Sequence, residues 1–217
     1  HCGAMTLHMR DAPGDLRAFA ELSGRADRLR LLHPEMHRDF FTRELQREDA
    51  PARDDGIPLD NLGLGASERV LLRLLGDPAA AALLRRWRLG GVLERVGAGY
   101  VDTASHLGFL VVPAYEPRAL LAAGRVFQRI WLAATHEGIG LMPIAAPTLL
   151  VARLVRLAGA GFTAAERAEA AALQADLERM FPVSLQHQTG VLFRLAAAEP
   201  PPVPAPRRPV HAVLAVD

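Results

Sequence analysis

Apolar and polar positions alternate over residues 4–10, and this two-residue period predicts a half-buried strand. Pro13 and Asp15 then open a helical segment with Leu16, Phe19, Ala20 and Leu22 along one face. A second helix is expected over 34–46. Residues 47–66 replace periodic apolar positions with Asp, Pro and Gly and read as one long loop, a length that often serves function in compact domains. Helical spacing returns over 67–75 and 78–88, Gly90 and Gly91 interrupt it, and a short helix is expected over 92–96. Two strands are predicted next, 99–104 and 107–112, the second a nearly continuous apolar run suited to burial. Pro117 starts a long helix through Glu137, stopped by Gly138 and Gly140. A further helix is expected over 146–159. Thr163 and Glu166 have capping-box spacing ahead of a helix to Met180. The last strand spans 189–196, and a proline-rich stretch over 200–209, extended like polyproline II, leads to an apolar end over 210–216.

Helices outnumber strands and do not alternate regularly with them. The pattern reads as an α+β fold and not a doubly wound sheet, with 1–217 as one domain and 198–217 as an extended C-terminal arm. Half of the 217 residues are hydrophobic, enough for one sizeable core. The 25 basic and 24 acidic residues leave a formal charge of +1, so no general attraction to nucleic acid or to an anionic membrane is expected. All the basic residues are arginine, which removes lysine Schiff-base chemistry. Cys2 is the single cysteine, which excludes an internal disulfide and a cysteine zinc cluster and points to a reducing, cytoplasmic setting. The longest apolar stretch, 141–155, is broken by Pro143, Pro147 and Arg153, and falls short of the roughly 20 residues that span a bilayer.

Few motifs carry self-contained chemistry. His33 and His37 stand four apart, a spacing that could share a metal, but Pro34 occupies the place where a zincin has Glu; a polar helix start is expected instead. The two glycines in 61–67 precede a helix, but a phosphate loop would need a lysine, and an N-cap at Ser67 is the expectation. Arg85, Arg86 and Arg88 around Trp87 read as a solvated helix end with Trp87 anchored in the core. No serine elbow and no carboxylate pair of the glycosidase kind occurs.

Two segments point elsewhere. In the long helix, Val126, Ile130, Trp131 and Ala134 form the packing face, and Gly138, Ile139, Gly140, Leu141, Met142 and Pro143 follow its stop. A helix stop of this kind is either an ordinary glycine C-cap on a packed helix or a set of main-chain groups beside small and apolar residues, which a flat ring system needs. Near the C-terminus a strand delivers Arg194, and the adjacent Arg207 and Arg208 are either exposed charge on a tail or a pair suited to bidentate phosphate binding.

Taken together these segments resemble the nitroreductase family of flavoproteins. The likeness rests on Ala123 through Thr135 with Gly138 to Pro143, on Thr103 through Pro113, and on Leu192 to Leu195 with Pro206 to Val210; Ala26 to Arg30, His37, Glu44, Leu45 and Asp55 to Pro58 resemble a divergent branch. That branch contains actinobacterial flavin-sequestering proteins and modules fused to adenylating enzymes of the ThiF type. The resemblance implies an α+β nitroreductase-like fold, a central antiparallel sheet flanked by helices, and FMN bound at a homodimer interface, with Gly138 to Pro143 against the isoalloxazine ring and Arg207 and Arg208 near the phosphate. It further implies electron transfer from NAD(P)H to nitro or quinone-like acceptors, that is, small aromatic substrates. The alternative is a non-catalytic flavin-binding or degenerate module serving an adenylating partner. The family's N-terminal Arg-Arg-Ser-x-Arg-like and Asn-x-Gln-Pro-Trp-like motifs do not occur, so either the domain lacks the family's N-terminal portion or its FMN pocket is incomplete.

Overall fold

A computed structural model describes residues 4–46, 55–197 and 208–214. They belong to two compact units, His1–Arg30 with Gly90–Glu199, and Leu31–Leu89 with Pro200–Asp217. In chain order the elements are β1 (Thr6–Arg10), α1 (Pro13–Leu32), α2 (Pro34–Asp39), a π-helical turn (Phe40–Glu44), β2 (Leu45–Gln46), β3 (Ile57–Pro58) and a 3-10 turn (Leu59–Leu62). They continue with α3 (Ala66–Leu75), α4 (Pro78–Arg86), α5 (Gly91–Asp102), β4 (His106–Val112), α6 (Pro117–His136), β5 (Ile139–Ile144), α7 (Ala146–Arg156), α8 (Ala164–Met180), β6 (Thr189–Ala197) and α9 (Val210–Val213). The structure is mixed α+β, with an antiparallel sheet flanked by helices.

The larger unit is built on a four-stranded sheet in the order β1-β4-β6-β5, every neighbouring pair antiparallel. The predicted apolar run becomes β4, whose residues 107–112 are all buried between β1 and β6. Helix α6 packs on one face: Ala134 meets Leu141 and Phe193, flanked by Phe127, Ile130 and Leu195, while Ala119 and Ala123 meet Val112 and Met5. On the other face Phe181 stands edge-on to Phe109 at 5.2 Å, and Arg10 donates from Nε and Nη2 to the Met180 carbonyl at 3.1 and 2.9 Å. Gly108 lies opposite Phe193 in the β4–β6 register, and a Cβ there would come within 2.1 Å of the ring, so the aromatic closes over a bare backbone. The expected capping box is present: Glu166 accepts from the Thr163 N–H at 2.8 Å and the Thr163 hydroxyl accepts from the Glu166 N–H at 3.3 Å.

The strand expected over 99–104 is not formed; α5 runs through most of it. Glycines on α1 and α5 let these two helices touch. A Cβ on Gly24 would fall 2.2 Å from the Glu94 carbonyl oxygen, and one on Gly97 would fall 2.7 Å from the Asp27 carboxylate and 3.0 Å from the Gly24 Cα. Around this crossing Arg28 donates to Glu94 at 2.5 Å and also pairs with Glu169 on α8, while Arg25 pairs with Asp176 on α8. Burial works against the Arg28 charge, but the bonds and charges of Glu169 and then Glu94 more than offset it, and its pKa rises. Asp27 has no such help: burial pushes its carboxyl up to about 6, against a weaker lowering by Arg30.

In the smaller unit, α2 stops at Asp39 rather than reaching 46. Phe40 and Phe41 pack edge-on at 5.0 Å and Phe41 lies 4.7 Å from the His37 ring; burying Phe41 draws the chain into the π-helical turn, after which Leu45 is extended and β2 pairs in parallel with β3. The loop expected over 47–66 therefore holds a short strand and a 3-10 turn; its residues 47–54 lie outside those described. Helix α3 starts from Gly65, not Ser67, because the Glu68 carboxylate reaches back to the Gly65 N–H at 2.8 Å.

Candidate functional site

The sequence singled out the stop of the long helix. At that point Glu137 donates to the Ala133 carbonyl and Gly138 to that of Thr135, both at 3.1 Å. Gly138 has φ +70°, a left-handed value that glycine adopts without strain, and the space where a Cβ would stand is open. The chain then forms β5 instead of the turn the sequence suggested. Two glycines and Pro143 disguise the strand, but β5 pairs only with β6 among the described residues, and an edge strand accepts proline. Leu141 is buried under α6, Met142 is half-buried, and Ile139 and Pro143 are exposed. The six residues from Gly138 to Pro143 thus form one continuous strip of main chain whose outer edge has no strand partner among the described residues. The strip offers donors and acceptors beside small and apolar side chains, a donor set that fits the rim of a flat heterocycle.

Arg194 lies next to this strip. It pairs with Met142 in the β5–β6 register, its Nε points to Met142 Sδ at 3.4 Å, and its Nη1 donates to the Thr103 hydroxyl at 3.1 Å. Burial lowers its pKa below the ordinary guanidinium value. The sequence placed Arg194 on a strand but carried no sign of the Thr103 contact, which joins positions 91 apart.

The two arginines assigned to phosphate are less informative. Arg207 lies outside the described residues. Arg208 is half-exposed and paired with the Asp55 carboxylate within the smaller unit. A phosphate at Arg208 would have to share the guanidinium with Asp55 or displace it.

Other singled-out residues have structural partners. Buried His37 donates from Nε2 to the Leu75 carbonyl at 2.7 Å, because a carbonyl can only accept; this satisfies the C-terminal end of α3. Among the described residues no group of three or more His, Cys, Asp or Glu is placed to hold a metal ion. Trp87 is 64% exposed and not anchored in the core. It caps the end of α4 with Arg86 over its ring at 6.0 Å, and the following Arg88 takes the left-handed φ +53°. On α6, Ala119, Ala123 and Ala134 are the buried residues, while Trp131 is 37% exposed, so the helix packs through small residues more than through the Trp131 expected on its packing face.

No helix among the described residues is long and apolar enough to cross a membrane. The chain is 28% identical over 197 residues to a protein of Mycobacterium tuberculosis (strain CDC 1551 / Oshkosh) that bears the name uncharacterized protein MT1398. The match covers 89% of this chain and 27% of that relative, so the chain spans about a quarter of the relative's length. No family model and no solved structure matches the chain.

Proposed function

We propose that the chain is an FMN-binding module with the nitroreductase fold, acting in the cytoplasm as an NAD(P)H-dependent oxidoreductase on small nitro or quinone-like aromatic acceptors. The observation that carries this reading is the strip from Gly138 to Pro143, directly after the long α6 helix as the resemblance requires, whose outer edge has no strand partner among the described residues. Its main-chain groups would hold the isoalloxazine ring, and Leu141 under α6 would keep that strip from moving. Bound FMN would supply hydride acceptance from NAD(P)H and electron delivery to the acceptor. The resemblance assigns the phosphate to Arg207 and Arg208; support from the described contacts is confined to the ring side.

Homodimerisation belongs to the same reading. Leu121 is 72% and Leu132 59% exposed on α6, an apolar surface that a second copy would cover. The test is the absorbance spectrum of the protein purified with added FMN. Bands of bound flavin that bleach with NAD(P)H and recover on adding a quinone support the reading; failure to retain FMN refutes it.

The Arg208–Asp55 ion pair favours a second reading, a module that holds flavin weakly or not at all and serves an adenylating partner. A relative more than three times as long agrees with a module set in a larger protein. Bound FMN that NAD(P)H does not bleach would select the flavin-holding form of this second reading.

A further inference from the structure

Arg194 differs from four other arginines of the described residues. Arg25, Arg28, Arg69 and Arg208 each pair with a carboxylate. Arg194 is half-buried, yet its partners are a thioether and a hydroxyl, both neutral, and among the described residues it has no carboxylate. A cation drawn out of water without counter-charge is unfavourable. Its lowered pKa has burial as the cause, where the carboxylates of Arg28 reverse that direction. The nearby C-terminal end of α5, capped by Thr103, supplies about half a negative charge. That is less than a whole guanidinium requires, and no carbonyl of that turn receives an Arg194 N–H.

The donors left over are specific. A guanidinium has five N–H bonds; one Nε and one Nη1 hydrogen are used, which leaves both hydrogens on Nη2 and the second on Nη1. Thr103 Oγ1 accepts from Arg194, so its own O–H can donate outward. We propose that Arg194 and Thr103 form a subsite for a small oxyanion, the carboxylate or phosphate of a ligand lying beside Met142 on β5. The Nη pair grips two oxygens in the bidentate manner and the threonine hydroxyl takes a third contact. The subsite stands on these side chains alone and holds whether or not the ligand is a flavin.

The test uses the full chain labelled with nitrogen-15, following arginine Nε–Hε resonances during titration with inorganic phosphate and, separately, with benzoate. The Arg194 signal is identified by its loss in Arg194→Gln. It should shift saturably with at least one probe while other arginine signals hold nearly still, and the tighter probe tells phosphate from carboxylate as the ligand's anion. Thr103→Val should weaken that binding at least threefold, and it carries the test where Arg194→Gln fails to fold. An Arg194 signal unmoved by both probes overturns the proposal. So does one moving unsaturably in step with all the arginines, which marks an adventitious ion only, or unchanged affinity in Thr103→Val.

Discussion

Replacing Asp27 with asparagine removes a charge from the tightest helix crossing in the larger unit while keeping the side chain's shape. Burial pushes the Asp27 carboxyl from 3.8 to about 6, so the folded state holds this proton more firmly than the unfolded chain does. Stability from this group is complete below about pH 3.8 and is lost as pH rises to about 6, above which the penalty is constant. At about 1.4 kcal/mol per pH unit the displacement amounts to roughly 3 kcal/mol at neutral pH. Solvent at the rim of this partly buried residue reduces that figure, and asparagine gives up the attraction to Arg30, so a gain of about 1 to 3 kcal/mol is expected at pH 7. The assay is urea unfolding of the parent chain and Asp27→Asn between pH 4 and 7, followed by circular dichroism. Other carboxylates titrate in the same range, but they do so in both proteins and cancel in the difference. The advantage of the variant should shrink towards zero near pH 4. A difference that stays flat across the range, or a variant less stable at pH 7, would show that the crossing solvates the carboxylate better than its burial against Gly97 implies.

Two further substitutions probe backbone geometry by unfolding midpoint. Gly24→Ala should destabilise by about 1 to 3 kcal/mol, because its Cβ would press on the Glu94 carbonyl, whereas Gly99→Ala in α5, with open space around it, should stabilise by up to about 1 kcal/mol; equal effects at the two sites would contradict the described crossing. Arg88→Gly should raise stability by about 0.5 to 1 kcal/mol, since φ +53° suits glycine and strains arginine, and an unchanged or lowered midpoint would count against that strain.

What the sequence disclosed and what it hid divide along one physical line. Elements set by local spacing were legible: the apolar run of β4, the Thr163–Glu166 box that starts α8, and the Pro117 start and Gly138 stop of α6. Elements whose character depends on a distant neighbour were not. Gly97 and Gly99 look alike in the chain, yet one carries the α1–α5 contact and the other faces open space, and only the approach of Gly24 and Asp27 separates them. The strand at 139–144 was hidden because two glycines and a proline speak for a turn, while its position at the sheet edge, set by pairing with β6, makes those residues acceptable. The same limit governs the candidate site. Local pattern could select Gly138 to Pro143, because a helix stop followed by small residues is a local event. It could not assign partners to the arginines, since Arg208 meets a carboxylate 153 positions away and Arg194 meets a hydroxyl 91 positions away. Tandem arginine thus marked Arg208, which already holds a carboxylate, while Arg194, a single arginine in an apolar strand, has none among the described residues.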